Sequence, residues 1–185
     1  MPKIIDALIA IDPVAVMRDH GKPDGYAPLK NDGLGYVFAV TSFADIAQST
    51  DASEVSAQQA HDHQEEEGGD DVKLVITVGD VARFRSTPLG WRSDYQCFID
   101  QIVADSSPHC MTRPNDVCRS VSSTDMDPTM PPFTQYLCIS EADYYHEATM
   151  LRTGTVNLTL NFSIYDHTAH RLGGYSFQSK IKINP

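Results

Sequence analysis

The stretch Thr155–Asp166, TVNLTLNFSIYD, decides the fold. Val156, Leu158, Leu160, Phe162 and Ile164 alternate in it with Asn157, Thr159, Asn161, Ser163 and Tyr165. A repeat of two marks a strand with one buried face, because successive side chains of an extended backbone point to opposite sides. Just downstream, Gly173-Gly174 opens YSFQSKIKI. Here Tyr175, Phe177, Ile181 and Ile183 share one face, and Ser176, Gln178, Lys180 and Lys182 take the other. The two runs are predicted to form a hairpin across the turn His167–Gly174.

Working outward, the same reading predicts strands over Ile4–Ile11, Tyr36–Thr41, Val72–Val78, Val81–Arg85, Tyr95–Ala104 and Gln135–Ser140. Helical periodicity is weak except over Asp45–Gln59, a small, polar stretch that reads as a helix or an ordered loop. Seven to eight short strands separated by turn residues predict an all-β protein, an antiparallel two-layer β-sandwich with long loops. The 185 residues are expected to form a single domain, 1–185, which at this length buries about 70% of the surface of the unfolded chain. Two long connections interrupt the strands: an acidic loop, residues 58–71, and a Pro/Cys-rich segment, residues 105–132, with Pro108, Pro114, Pro128, Pro131 and Pro132. Loops of such length are usually functional or disordered.

Hydrophobic residues make up 41% of the chain and charged residues 21%, which is ordinary for a globular protein. The formal net charge is -11, and Asp62, Glu65, Glu66, Glu67, Asp70 and Asp71 supply a concentrated part of it. The fourteen basic residues are scattered, so the balance repels phosphate and excludes nucleic acid and anionic membrane as partners. The apolar run Ile4–Ile11 contains Asp6 and stops at Asp12-Pro13, which does not resemble a signal peptide, and a cytoplasmic location is expected. In that compartment Cys97, Cys110, Cys118 and Cys138 are expected to be free thiols.

Each candidate for chemistry has a plainer reading beside it. His61-Asp62-His63 and the glutamates after them offer imidazole and carboxylate ligands, but on a segment with no hydrophobic anchor, so a solvated acidic loop is the reading and no metal is expected. His167 and His170 are explained by the hairpin turn. The segment Leu74–Ser86 has the strand-turn-strand look of a cupredoxin sandwich, yet no Cys follows Cys138 to build the copper loop. There is no G-x-S-x-G, no Walker loop and no G-x-G-x-x-G, so neither a nucleophilic triad nor a nucleotide enzyme can be assembled, and no cofactor is expected. Three aromatic residues remain as candidate ligand contacts: Trp91, after Pro88-Leu89-Gly90, and the pair Tyr144 and Tyr145. Exposed, they would stack on a sugar or anchor a protein partner; otherwise they pack in the core or cover a hairpin edge.

Four stretches taken in order carry a family resemblance: LIAID at Leu8–Asp12, GYVFAVTSFADI at Gly35–Ile46, VITVGDVARFRST at Val75–Thr87 and GGYSFQSKIKINP at Gly173–Pro185. Together they resemble the AidA/PixA family of bacterial inclusion-body proteins, with the acidic loop and the Pro/Cys-rich segment as departures. The resemblance implies a non-enzymatic protein that self-assembles as cytoplasmic inclusions, with a storage or host-interaction role and no catalytic residues to carry over. A lectin-like module binding a glycan or host protein is the alternative, and a metal-dependent enzyme using the His/Glu loop ranks third. For self-association, the expected device is the strand Tyr175–Ile183, placed at a sheet edge and pairing with a second copy as a symmetric homodimer.

Overall fold

The computed structural model of the chain describes residues 2–41, 75–89, 94–105, 109–126 and 136–185. The stretch Asp45–Gln59, the acidic loop with His61 and His63, and Trp91 lie outside the described residues. Ten strands are described: β1 (Ile4–Ile11), β2 (Tyr26–Pro28), β3 (Val37–Thr41), β4 (Val75–Thr77), β5 (Val81–Pro88), β6 (Tyr95–Ala104), β7 (Asn115–Met126), β8 (Tyr136–Thr149), β9 (Gly154–Asp166) and β10 (Arg171–Asn184). They form two sheets, one ordered β3-β1-β5-β8-β7 and the other β2-β10-β9-β6 with β4 also on β10.

The core lies where the period-two runs place it. Val156, Leu158, Leu160, Phe162 and Ile164 of β9 are all buried, as are Tyr175, Phe177, Ile181 and Ile183 of β10. From the facing sheet, β1 contributes Ile5, Ala7, Ile9 and Ile11, and β5 contributes Ala82 and Phe84. The β9–β10 hairpin pairs in antiparallel register from Arg171↔Tyr165 to Ile183↔Gly154, with a turn shorter than expected. In that turn the Asp166 carboxylate accepts from the Thr168 and His170 backbone N–H groups and the Thr168 hydroxyl. At Gly174 a Cβ would overlap the Arg171 guanidinium and sit 2.7 Å from the Gly25 carbonyl, so only glycine lets β2 approach β10 here.

Four expectations are corrected. The sandwich is mixed rather than antiparallel, since β1–β5, β10–β2 and β10–β4 are parallel pairs. Parallel pairing needs a long crossover, and the chain between Ile11 and Val81 supplies one. The strand count among the described residues is ten rather than seven or eight, partly because β7 lies inside the segment 105–132 read as a loop. Its sequence, NDVCRSVSSTDM, lacks apolar alternation because an edge strand with exposed faces needs none. Pro13–His20 forms an α-helix, α1: Asp12, read as a strand terminator, is its N-cap, accepting from Val14 N and Ala15 N, and Pro13 occupies the first turn. Finally, β10 lies inside its sheet, between β9 and the short β2 and β4, so it offers no free edge along those pairings.

The two sheets are joined at the turn Thr77–Asp80, where the chain leaves β4 for β5. Asp80 N donates to the Thr77 carbonyl across it, and Gly79 at φ 94° supplies the left-handed residue. Asp80 itself is buried and binds three donors: Lys3 N at 2.9 Å, Thr77 N at 3.1 Å and the Thr77 hydroxyl at 2.6 Å.

Candidate ligand cleft

β6 is paired by β9 along one edge, and its other edge faces the first sheet. There, side chains stand in for a neighbouring strand. Ser86 of β5 donates through Oγ to the Cys97 carbonyl at 2.9 Å and accepts from Ile99 N at 3.1 Å. His146 of β8 places Nε2 2.8 Å from the Ile99 carbonyl and Nδ1 2.8 Å from the Asp116 carboxylate. A neutral imidazole can donate to only one of these acceptors, whereas the doubly protonated ring donates to both.

Past Ile99 the register with β9 shifts between Ile99 and Gln101, leaving Asp100 as the bulged residue. A bulge bends a strand and re-aims its side chains. Asp100 accepts from Tyr26 Oη at 3.0 Å and from Ser163 Oγ at 2.5 Å. Arg171 completes the cluster, donating from Nε to Ser163 Oγ and from Nη1 to the Asp24 carbonyl, with its guanidinium 5.6 Å from the Tyr26 ring centre.

Between β6 and the segment 109–116 a cleft of about 800 Å³ opens. Asp100, Asp105 and Asp116 bring carboxylates to its lining, His109 and Arg113 bring basic groups, and Tyr26 brings an aromatic ring. A smaller, more apolar depression of about 380 Å³ shares Asp100 and is bounded by Phe98, Tyr144 and Tyr165. Phe98 and Tyr165 meet edge to face at 5.8 Å. Burial, and then the nearby carboxylates of Asp116 and Asp100, push the Tyr144 phenol above its ordinary value. The arrangement can hold a polyhydroxylated ligand, with carboxylates accepting from hydroxyls and aromatic rings offering faces.

The adjacent tyrosines separate, because neighbours on a strand point to opposite faces. Tyr144 faces the smaller depression. Tyr145 is buried on the outer face of the first sheet, beneath the guanidinium groups of Arg83, Arg85 and Arg119 at 4.8, 4.5 and 5.5 Å from its ring centre. Those cations are themselves paired: Arg83 with Glu147, Arg85 with Asp143 and Asp6, and Arg119 with Asp143. Sequence reasoning passed over Asp100, Asp116 and His146. A bulge leaves no mark in a sequence, and the core-facing place of His146, two residues before buried Ala148, follows from β8 running to Thr149, beyond the predicted end at Ser140.

Among the described residues there is no group of three or more metal-ligating side chains, and no helix is long and apolar enough to cross a membrane. The four cysteines are free. Cys97 is a poor nucleophile, its thiol pushed up to about 12 by burial and by Asp12.

The described residues therefore define a mixed two-sheet β-sandwich with a polar cleft at one open edge. The chain belongs to the PixA family of inclusion body proteins, whose family description matches residues 57–183, well over half of its length. The crystal structure of the inclusion body protein (PixA) from Burkholderia cenocepacia J2315 superimposes with a TM-score of 0.73 at 16% identity, covering 99% of this chain and 97% of that one. This likeness establishes the fold. A much weaker likeness, to the solution structure of amebosin, has a TM-score of 0.28 at 12% identity over 62% of this chain and 97% of that one, and carries no argument. No curated protein matches the sequence.

Proposed function

We propose that this chain is a non-enzymatic inclusion body protein whose folded copies associate with one another and accumulate inside the bacterial cell, in a storage or host-interaction role. Membership of the inclusion body protein family is the observation that carries this reading. The chemistry of the described residues agrees with it: the buried side chains of Asp80, His146 and Ser163 are committed to hydrogen bonds, those of Asp80 and His146 linking the two sheets and that of Ser163 within one sheet. The net charge of -11 makes self-association depend on solution conditions, because repulsion between copies falls as salt screens it or as pH approaches the sequence pI of about 4.8. The test is imaging of expressing cells together with light scattering across ionic strength and pH. Ordered inclusions, and scattering that rises with salt, are expected; a monomer under all conditions with no inclusions would overturn the proposal.

A second reading, a carbohydrate-binding module, is favoured by one observation: the polar cleft places Asp100, Asp105 and Tyr26 around an open volume of about 800 Å³. A glycan screen of the intact protein, repeated with Tyr26→Ala, tests it. Specific glycan binding lost in the variant is expected on this reading, and its absence in the unmodified protein would remove the reading.

A further inference from the structure

The antiparallel ladder between β7 and β8 runs without a register shift from Asn115↔Glu147 to Met126↔Tyr136. β5 pairs with β8 only from Val81↔Thr149 to Phe84↔His146. From Val117↔Tyr145 outward, ten successive pairs are therefore a two-stranded ribbon among the described residues, about 30 Å long at the rise of an antiparallel strand. A bare two-stranded ribbon is marginal in water, and a third strand or a packing partner makes it stable. Its surface is suited to burial: Val121 and Ile139 are half-buried, and Leu137 is 43% exposed.

The outer edge of β7 is paired by no strand among the described residues. Natural edges are blunted by Lys, Pro or a bulge. Between Val117 and Thr124, VCRSVSST, β7 has none of these, and Arg119, its sole charged residue there, is held by Asp143. The other edges differ. The β6 edge is capped by Ser86 and His146, β3 has five residues, and β2 and β4 have three each.

We propose that the outer edge of β7 pairs antiparallel with β7 of a second copy about a two-fold axis, joining two five-stranded sheets into one. Charge favours a second copy as the occupant: in a chain of net charge -11, this edge is a stretch where acidic copies meet without opposing carboxylates. Its length is also sufficient. Overlap along the carboxylate-free stretch Val117–Thr124 would form about eight main-chain hydrogen bonds, within the range a standard protein interface carries. A two-fold pairing closes on itself, which gives a defined dimer rather than a fibre. This inference rests on the self-association proposed above and names the element that performs it.

The test is sedimentation velocity over a concentration series on the full chain, the variant Ser120→Lys/Ser122→Lys, and the control Thr155→Lys/Gln178→Lys. All four positions are exposed, and the control pair lies on the interior strands β9 and β10. Both variants lower the net negative charge equally, so weakened association in the first alone is local to β7. The expected result is a dimer for the unmodified chain and the control, with a dissociation constant raised about tenfold or more in the β7 variant. Equal association of all three would overturn the β7 assignment while leaving self-association standing. A chain that is monomeric throughout and forms no inclusions would overturn both. Should the β7 variant misfold, hydrogen exchange on the unmodified chain decides: Val117–Thr124 amide protection that rises with concentration supports the pairing, and protection independent of concentration overturns it.

Discussion

Replacing Asp80 with asparagine tests whether the turn between β4 and β5 clips the two sheets together. Asp80 is 7% exposed, and its two oxygens divide three donors: Oδ1 takes Lys3 N, and Oδ2 takes Thr77 N and the Thr77 hydroxyl. Asparagine has one carbonyl oxygen, so its NH₂ group must face a donor on one side. At least one hydrogen bond to a charged acceptor is lost, and a buried donor is left opposed. A loss of about 2–3 kcal/mol follows, which for a chain of this length lowers Tm by about 5–10 °C. Burial alone pushes the Asp80 carboxyl up, but the Thr77 hydroxyl and the backbone N–H groups of Lys3 and Thr77 outweigh it and hold it below its ordinary value. A depressed carboxyl stabilises the fold above the unfolded value of about 3.9, and that contribution is lost as pH falls through the folded value. In urea denaturation series, the gap between native chain and Asp80→Asn should therefore be constant above about pH 5 and shrink below about pH 4. A gap under about 0.5 kcal/mol at neutral pH, or one that persists in acid, would refute the clip.

Two further predictions follow from burial. In the native protein a thiol reagent should label Cys118 and Cys138, which are exposed, while Cys97 and Cys110 react only after unfolding; rapid labelling of all four would contradict the core described here. His146→Leu should cost about 2–3 kcal/mol by stripping the Ile99 carbonyl of its donor. Asp116→Asn, with a side chain 68% exposed, should cost under about 1 kcal/mol. Equal losses in chemical denaturation would show that the bridge from His146 to β6 does not hold the sheets.

The sequence by itself determined the all-β class, the β9–β10 hairpin and the inward faces of β9 and β10, because a period of two is local: each buried position is announced by its own neighbours. It also carried the family resemblance, through stretches that include β1, β3, β4, β5 and β10. Only the tertiary structure decided which strands pair. The parallel β1–β5 pairing joins segments some seventy residues apart, and no local pattern specifies such a partner. For the same reason β10 looked like an edge strand until β2 and β4 were seen to flank it. β7 stayed hidden because it is exposed, and exposed strands leave no hydrophobic alternation to read. The cleft belongs to this second kind of information. Asp100, Asp116 and His146 come from three strands and meet through a bulge and a bridge across the sheets, contacts that exist only once the chain has closed on itself.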